Sequence, residues 1–336
     1  MKSEKILLDH GSGGRIANNM VADMILPAFD NPILSKLDDS ALVGVAGCRL
    51  SFSTDSYVVE PIFFPGGNIG DLAINGTVND IAMGGGRPLY LSVGLILEEG
   101  FLVAELEKIL ASMGAAARKA GVQVVTGDTK VVPKGKADRI FINTSGFGLV
   151  PDGLDVSGAN AAPGDKVIVS GTIADHGMTI LTQREGMSFD AAIRSDSAPL
   201  NHMVQDIIAA APDLHVLRDP TRGGLGTTLN EIARQSQVSI VLSEAQIPVH
   251  DAVAGVCELL GFDPLYVANE GKLIAIVPAA SAEKVLAAIR KSDYGKDACV
   301  IGEVVAENPG SVVMKTRIGG RRIVDMLTGE QLPRIC

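Results

Sequence analysis

Residues 151–163 are rich in glycine, proline, aspartate and asparagine. Behind them the alternation of strand-like and helix-like segments starts afresh. That break constrains the fold more than any other feature, because a chain of 336 residues is long for one hydrophobic core. Two α/β units are expected. Before the break the pattern predicts strands over 49–54, 89–97, 122–125 and 139–149, with helices over 16–29, 102–120 and from residue 68 to the glycines at 84–86. After it, strands are expected over 166–170, 238–242, 273–277 and 298–304. The segment 171–185 follows the first of these, and helices are expected over 198–211, 225–235, 251–260 and 282–291. A strand pair, 311–316 and 322–326, turns through Gly319-Gly320, and residues 328–336 follow without any apolar period. Nine extended residues reach roughly 30 Å, so this tail reads as a flexible arm that Pro333 stiffens.

Hydrophobic residues make up 46% of the chain, enough for a fully folded protein, and no period of 20–50 residues suggests a solenoid. Thirty-nine acidic against twenty-nine basic residues leave a formal charge of −10 without a Lys/Arg cluster, which argues against nucleic acid as a partner. No stretch approaches the ~20 apolar residues of a membrane span, and the first apolar run is too short for a signal peptide, so a cytoplasmic protein is expected. The four cysteines show no metal-binding or disulfide spacing. Cys48, Cys257 and Cys299 read as small buried hydrophobes, whereas Cys336, the last residue, is placed to react.

The chemistry-bearing residues cluster around glycines and strand ends. Asp38, Asp39, Asp55, Asp80, Asp128 and Asp219 all fall there, with Lys130 beside Asp128. Carboxylates gathered this way, without His or Cys, suit magnesium bridging to phosphates, although Asp also serves routinely as N-cap and turn residue. In the segment 68–88, Ile74, Val78 and Ile81 define one helix face, while Asn75, Asn79 and Asp80 are unusual in a helix interior and are expected to point at something polar. Near the start, His10-Gly11-Ser12-Gly13-Gly14-Arg15 precedes a helix, which suits an anion site or an ordinary loop; its spacing is neither a P-loop nor a dinucleotide fingerprint.

Asp38-Asp39-Ser40-Ala41, Ser53-Thr54-Asp55, the run from Val78 to Pro88, Thr126-Gly127-Asp128-Thr129 and the run from Arg218 to Leu225 together resemble the aminoimidazole ribonucleotide synthetase superfamily, which includes selenophosphate synthetase and thiamine-monophosphate kinase. The opening Asp-His-Gly-Ser-Gly-Gly and the terminal Pro-Arg-Ile-Cys narrow the resemblance to its hydrogenase-maturation carbamoyl dehydratases. It covers nearly the whole chain.

The resemblance implies a two-domain PurM-like α/β fold: a glycine-rich nucleotide lid over 1–36, an ATP-binding and dimerisation domain over 37–150, an α/β domain over 160–310, and a hairpin with a mobile tail over 311–336. The N-terminal sheets of a homodimer would join into a β-barrel. It further implies magnesium on Asp39, Asp80 and Asp219, ATP contacts from Asp55, Asp80, Gly127, Asp128 and Thr129 with Gly13 and Gly14 in the lid, and Lys130 and Glu270 near the reacting groups. The carbamoyltransferase HypF would load Cys336. ATP would then drive dehydration of the carbamoyl group to a cyano group, which passes to iron on a HypC–HypD scaffold and ends as a cyanide ligand of nickel-iron hydrogenase. Two rivals remain. A selenophosphate synthetase has a reactive Cys (or Sec) and a Lys in the early glycine segment, and this chain has neither there. A non-catalytic carrier would merely offer Cys336 while nucleotide opens and closes the arm.

Overall fold

The computed structural model describes residues 6–11, 14–29, 31–187, 193–329 and 331–336. The chain opens with a helix α1 (Arg15–Met20), a wider π-helical turn (Val21–Ile25) and α2 (Leu26–Phe29). Then come β1 (Ala41–Val45), β2 (Cys48–Tyr57), the short β3 (Phe63–Phe64) and β4 (Gly67–Asn68), α3 (Ile69–Met83), β5 (Arg87–Glu98), α4 (Val103–Ala120), β6 (Gln123–Val132) and β7 (Ile140–Val150). Strands β1, β2, β7, β5 and β6 form one sheet in that order, antiparallel except for β5 beside β6. The sheet is open among the described residues, with β1 and β6 as its edges.

Helix α3 was expected to be amphipathic and is instead buried all round: thirteen of its fifteen residues are buried, and the two that are not are Asp71 and Asp80. It lies between the sheet, α4 and the second half of the chain. Glycine permits that depth. A methyl group at Gly76 would collide with the Tyr57 hydroxyl of β2.

The second half contains β8 (Lys166–Val169), α5 (Asp175–Arg184), α6 (Asn201–Ala210), β9 (Val216–Arg218), α7 (Gly224–Gln235), β10 (Ser239–Ser243), α8 (Asp251–Leu260), β11 (Ile274–Val277), α9 (Ala282–Ile289), β12 (Cys299–Val305), β13 (Ser311–Lys315) and β14 (Arg321–Ile323). The sheet order is β14-β13-β10-β12-β8-β11-β9. Its strands carry apolar residues on both faces because both are covered. Ile168, Leu217 and Ala275 pack toward α6 and α9, while the intervening Val167, Val216 and Ile274 pack toward α7. The two halves share core: Ala82 and Met83 of α3 belong to the same apolar cluster as Leu200 and Met203 at α6.

Two sequence expectations change here. Cys48 is exposed, and the terminal Cys336 is buried. Asp128 and Lys130 lie inside a ten-residue strand rather than at the end of a short one.

Candidate active site

The cleft between the two sheets gathers carboxylates from five places in the chain. Asp39 precedes β1, Asp55 lies on β2, Asp80 in the last turns of α3, Asp219 just beyond β9, and Glu270 before β11. Their placement follows from backbone paired elsewhere. Ser53 on β2 donates its hydroxyl to Asp80 Oδ2 at 2.8 Å, joining strand and helix. Arg218, the last residue of β9, reaches Asp39 Oδ1 at 2.6 Å and Glu231 Oε2 at 2.9 Å. Asp38 turns the other way and accepts from the Ser157 hydroxyl and the Gly158 N–H, both at 2.9 Å. Both of its carboxylate oxygens are thus taken up in tying the first domain to the linker, although the residue lines the cavity beside Asp39.

Burial holds the carboxyls of Asp39, Asp55, Asp80 and Glu270 above the usual carboxylate range, and pushes Asp219 up to about 6. Mutual repulsion adds to it. Asp80 is raised further by Asp219, Asp55 and Asp39, and Glu270 by Asp219, Asp55 and Asp196. Arg218 opposes the effect at Asp39 and Asp219, while Arg222 does so at Asp55 and Glu270. A group of acids that oppose one another's ionisation is one that a cation relieves.

Among the described residues no three His, Cys, Asp or Glu side chains converge closely enough for a protein-only metal cage. Magnesium bound through one or two carboxylates and substrate phosphates needs no such cage. Asp39 Oδ2 is buried without a hydrogen-bond partner among the described residues, so the hard-oxygen donor set of Asp39, Asp80 and Asp219 fits that ion. Beside it lies a cavity of about 670 Å³, lined by Asp39, Ser53 and Arg218 on one side and Asn18, Ala22 and Leu34 of the N-terminal segment on the other. Its size is that of a small-molecule site.

Glu270 is held by its backbone and free at its tip. Its N–H donates to Asp196 Oδ1 at 3.1 Å, its carbonyl accepts from Asn79 Nδ2 at 3.2 Å, and its Oε1 is buried without a partner among the described residues. Gly271 beside it is required, since a methyl group there would collide with the Asp196 carbonyl. Asn79 and Asn75 thus do point at polar groups, but across the domain interface: Asn79 also engages the Ala198 carbonyl and the Leu200 N–H, and Asn75 the Ser197 hydroxyl.

The terminal residues reach this cleft too. Ile335 and Cys336 are 3% and 7% exposed, in the same apolar cluster as Tyr57, Val59 and Ile180. The charge of Cys336 is the largest cause raising Arg222 above its ordinary value, followed among the charged groups by Asp55 and Glu270. Arg222 is itself exposed at the mouth. The arm expected to be mobile is seated beside the carboxylates.

Other expected residues lie elsewhere. Lys130 and Asp128 pair with each other at 2.7 Å on β6, with side chains 69% and 70% exposed. The sheet register runs Asp55, Thr144, Val93, Gly127, which puts Gly127-Asp128-Thr129 three strands, about 14 Å, from Asp55 within one chain. Gly14 caps the start of α1, where the following Arg15 N–H is taken by the Leu327 carbonyl at 2.7 Å. Gly13 lies outside the described residues. His10 is buried against the backbone of Leu7. Sequence reasoning missed Arg222 and Arg218, although both flank Asp219 in Arg-Asp-Pro-Thr-Arg and that juxtaposition was a usable signal. It also missed Asp196, His176 and Arg184, which no spacing marks.

Two packed α/β halves with a carboxylate-lined cleft between them define the class, and family models agree: residues 37–150 match the N-terminal domain, and residues 162–315 the C-terminal domain, of AIR synthase related proteins. A carbamoyl dehydratase HypE of Cupriavidus necator is 54% identical over all of this chain and 96% of its own length. A crystal structure of the hydrogenase maturation protein HypE in complex with ATP is 53% identical, with a TM-score of 0.84 over 99% of this chain and all of the other. One of a HypE–HypF complex is 47% identical, with a TM-score of 0.88 over 92% of this chain and 99% of the other. Within the AIR synthase related class, the chain belongs to the family of HypE carbamoyl dehydratases.

Proposed function

We propose that the chain uses ATP to dehydrate an S-carbamoyl group on Cys336 to an S-cyano group, supplying the cyanide ligands of the nickel-iron hydrogenase iron centre. One observation carries this reading: the terminal residue is seated in the same cleft as a buried glutamate, one of whose carboxylate oxygens has no partner among the described residues. Amide oxygen is a poor leaving group. Its attack on the γ-phosphorus of ATP, with ADP departing, turns it into a phosphate ester, and one N–H proton leaves. Loss of the second N–H proton expels phosphate with that oxygen and leaves C≡N on sulfur.

Glu270 is the base for those protons, since its raised pKa places it nearer neutrality than an exposed carboxylate. Arg222, beside Cys336, neutralises charge gathering on the transferred oxygen. Asp39, Asp80 and Asp219 would hold magnesium, which when bound would offset the charge of the nucleotide phosphates. ATP would occupy the 670 Å³ cavity beside Asp39, with Gly13 and Gly14 in its lid.

The reading includes a homodimer. The edge strand β6 exposes Val124, Val125 and Val131, and the outer sheet face exposes Phe52, Tyr90, Ile96 and Leu149. A second copy pairing there, with the two sheets curling into a barrel, would carry Gly127, Asp128, Thr129 and Lys130 toward the other copy's nucleotide. A carbamoyltransferase of the HypF kind is the loading partner, which the HypE–HypF complex of a relative supports. A HypC–HypD scaffold is the acceptor.

The test is the mass of the C-terminal peptide of carbamoylated protein before and after ATP and magnesium. Loss of one water is expected, and none from Cys336→Ala, which cannot be carbamoylated. ATP turnover with the carbamoyl mass unchanged would leave the carrier reading in its place.

A further inference from the structure

The backbone carbonyls of Pro333, Arg334 and Ile335 and a carboxylate oxygen of the terminal Cys336 are all engaged. Arg184, at the end of α5, donates from Nη1 to the Pro333 carbonyl at 2.8 Å and from Nη2 to the Arg334 carbonyl at 2.9 Å. The same guanidinium holds the Glu60 carbonyl from Nε at 3.1 Å and Nη2 at 2.7 Å, so it bonds the tail and the chain leaving β2 together. The Glu60 N–H donates to Arg334 O at 3.2 Å and the Val58 N–H to Cys336 O at 3.0 Å. His176, also on α5, lies 2.7 Å from the Ile335 carbonyl through Nε2.

The imidazole is fully buried, and burial lowers its pKa, so it is neutral. A carbonyl only accepts, hence Nε2 carries the proton and Nδ1 accepts from the Ser195 hydroxyl at 2.8 Å. Phe64 stands edge-on to the ring at 5.6 Å and fixes its plane. Arg334 is at φ 54°, unusual for a residue with a Cβ, and its side chain is tied to Asp138 and the Val58 carbonyl.

The geometry points to Arg184 and His176 as positioning residues of the dehydration: they bind the main chain of the terminal tetrapeptide and so fix where its thiol lies relative to Glu270. Neither touches the reacting atoms. The assignment rests on the proposed reaction for its purpose, but the seating of the tail can be measured without any chemistry. It also defines what the seat takes, a C-terminal segment read by its carbonyls from residue 333 onward, with residues 328–332 as tether.

The cysteines supply the assay. In the full, uncarbamoylated chain the alkylation rate of each thiol is followed by peptide mass: Cys48 is exposed, Cys257 is buried in α8 within an apolar cluster that Leu332 of the tether packs against, and Cys336 is buried by the seat. Arg184→Ala and, separately, His176→Ala should raise the Cys336 rate by about tenfold or more, as expected for lost hydrogen bonds to a charged or fully buried donor, while Cys48 and Cys257 keep their rates. Arg184→Lys should recover part of the protection. On carbamoylated protein the same variants should lower the single-turnover dehydration rate and leave ATP affinity within about twofold of the parent. A Cys336 rate unchanged in both variants, or one rising only in step with Cys257, overturns the assignment. If protection is lost as expected but no variant, parent included, loses water, the seat stands and the proposed reaction falls.

Discussion

In the proposed reaction Glu270 would act as base, and its backbone and its carboxylate are treated differently. Both main-chain groups are bonded across elements, so the residue cannot turn away, and Oε1 is left for a substrate proton. Glu270→Gln keeps shape and backbone bonds and removes the base; dehydration should fall by about 100-fold or more while carbamoylation persists. Normal water loss in that variant would remove Glu270 from the role. The pH dependence has a definite sign. With burial holding the carboxyl protonated above its ordinary range, the basic form accumulates as pH rises, so the parent's dehydration rate should climb over a pH window lying above that of an exposed carboxylate. A rate flat across that window would mean another base.

At the scale of elements, α3 organises the site, and its two ends work differently. Its start is a capping box: Asn68 Oδ1 accepts the Gly70 N–H at 2.8 Å, and Asp71 Oδ1 accepts the Asn68 N–H at 2.7 Å. Burial pushes Asp71 up to about 6. Its folded value is above its unfolded one, so protonation contributes stability that is whole below the unfolded pKa of 3.8 and is lost as pH rises through about 6. Asp71→Asn keeps the acceptor without the charge. Relative to the parent it should therefore gain on the order of 1–3 kcal/mol between about pH 4 and pH 7, read by denaturant unfolding at each pH.

Toward the other end of α3, Asn79 makes three bonds to the second domain. Asn79→Ala leaves buried groups unpaired and should cost about 2–4 kcal/mol, with dehydration slowed because the Glu270 carbonyl loses its anchor. A variant as stable as the parent would mean that the interface is held by apolar packing alone.

For the whole molecule, the decisive feature is that one chain places Asp39, Asp55, Asp80, Asp219, Glu270 and Cys336 in a single cleft but leaves Asp128 and Lys130 on an exposed edge. In the proposed homodimer, pairing of two β6 edges would bring them in. Val125→Lys with Val131→Lys puts charge on that edge and should give monomers by sedimentation velocity, with an unchanged circular dichroism spectrum and loss of ATP turnover. A monomer that still turns over ATP at the parent's rate would show that the site is complete within one chain.

The sequence alone determined the break between β7 and β8, most strands and helices, and the aspartates that meet in the cleft, though not Glu270, because periodicity, glycine and clustered aspartates are local signals. It did not show α3 to be buried on every side, since Ile74, Val78 and Ile81 mark one face while glycines and paired asparagines allow the others to be covered. Tertiary structure alone decided that Asp38 serves the linker while Asp39 faces the cleft, that Arg184 and His176 hold the tail, and that Cys336 lies inside. The physical reason is the same each time: these outcomes depend on contacts between residues a hundred or more positions apart, and whether a polar group is bonded or spare is settled only when those partners meet.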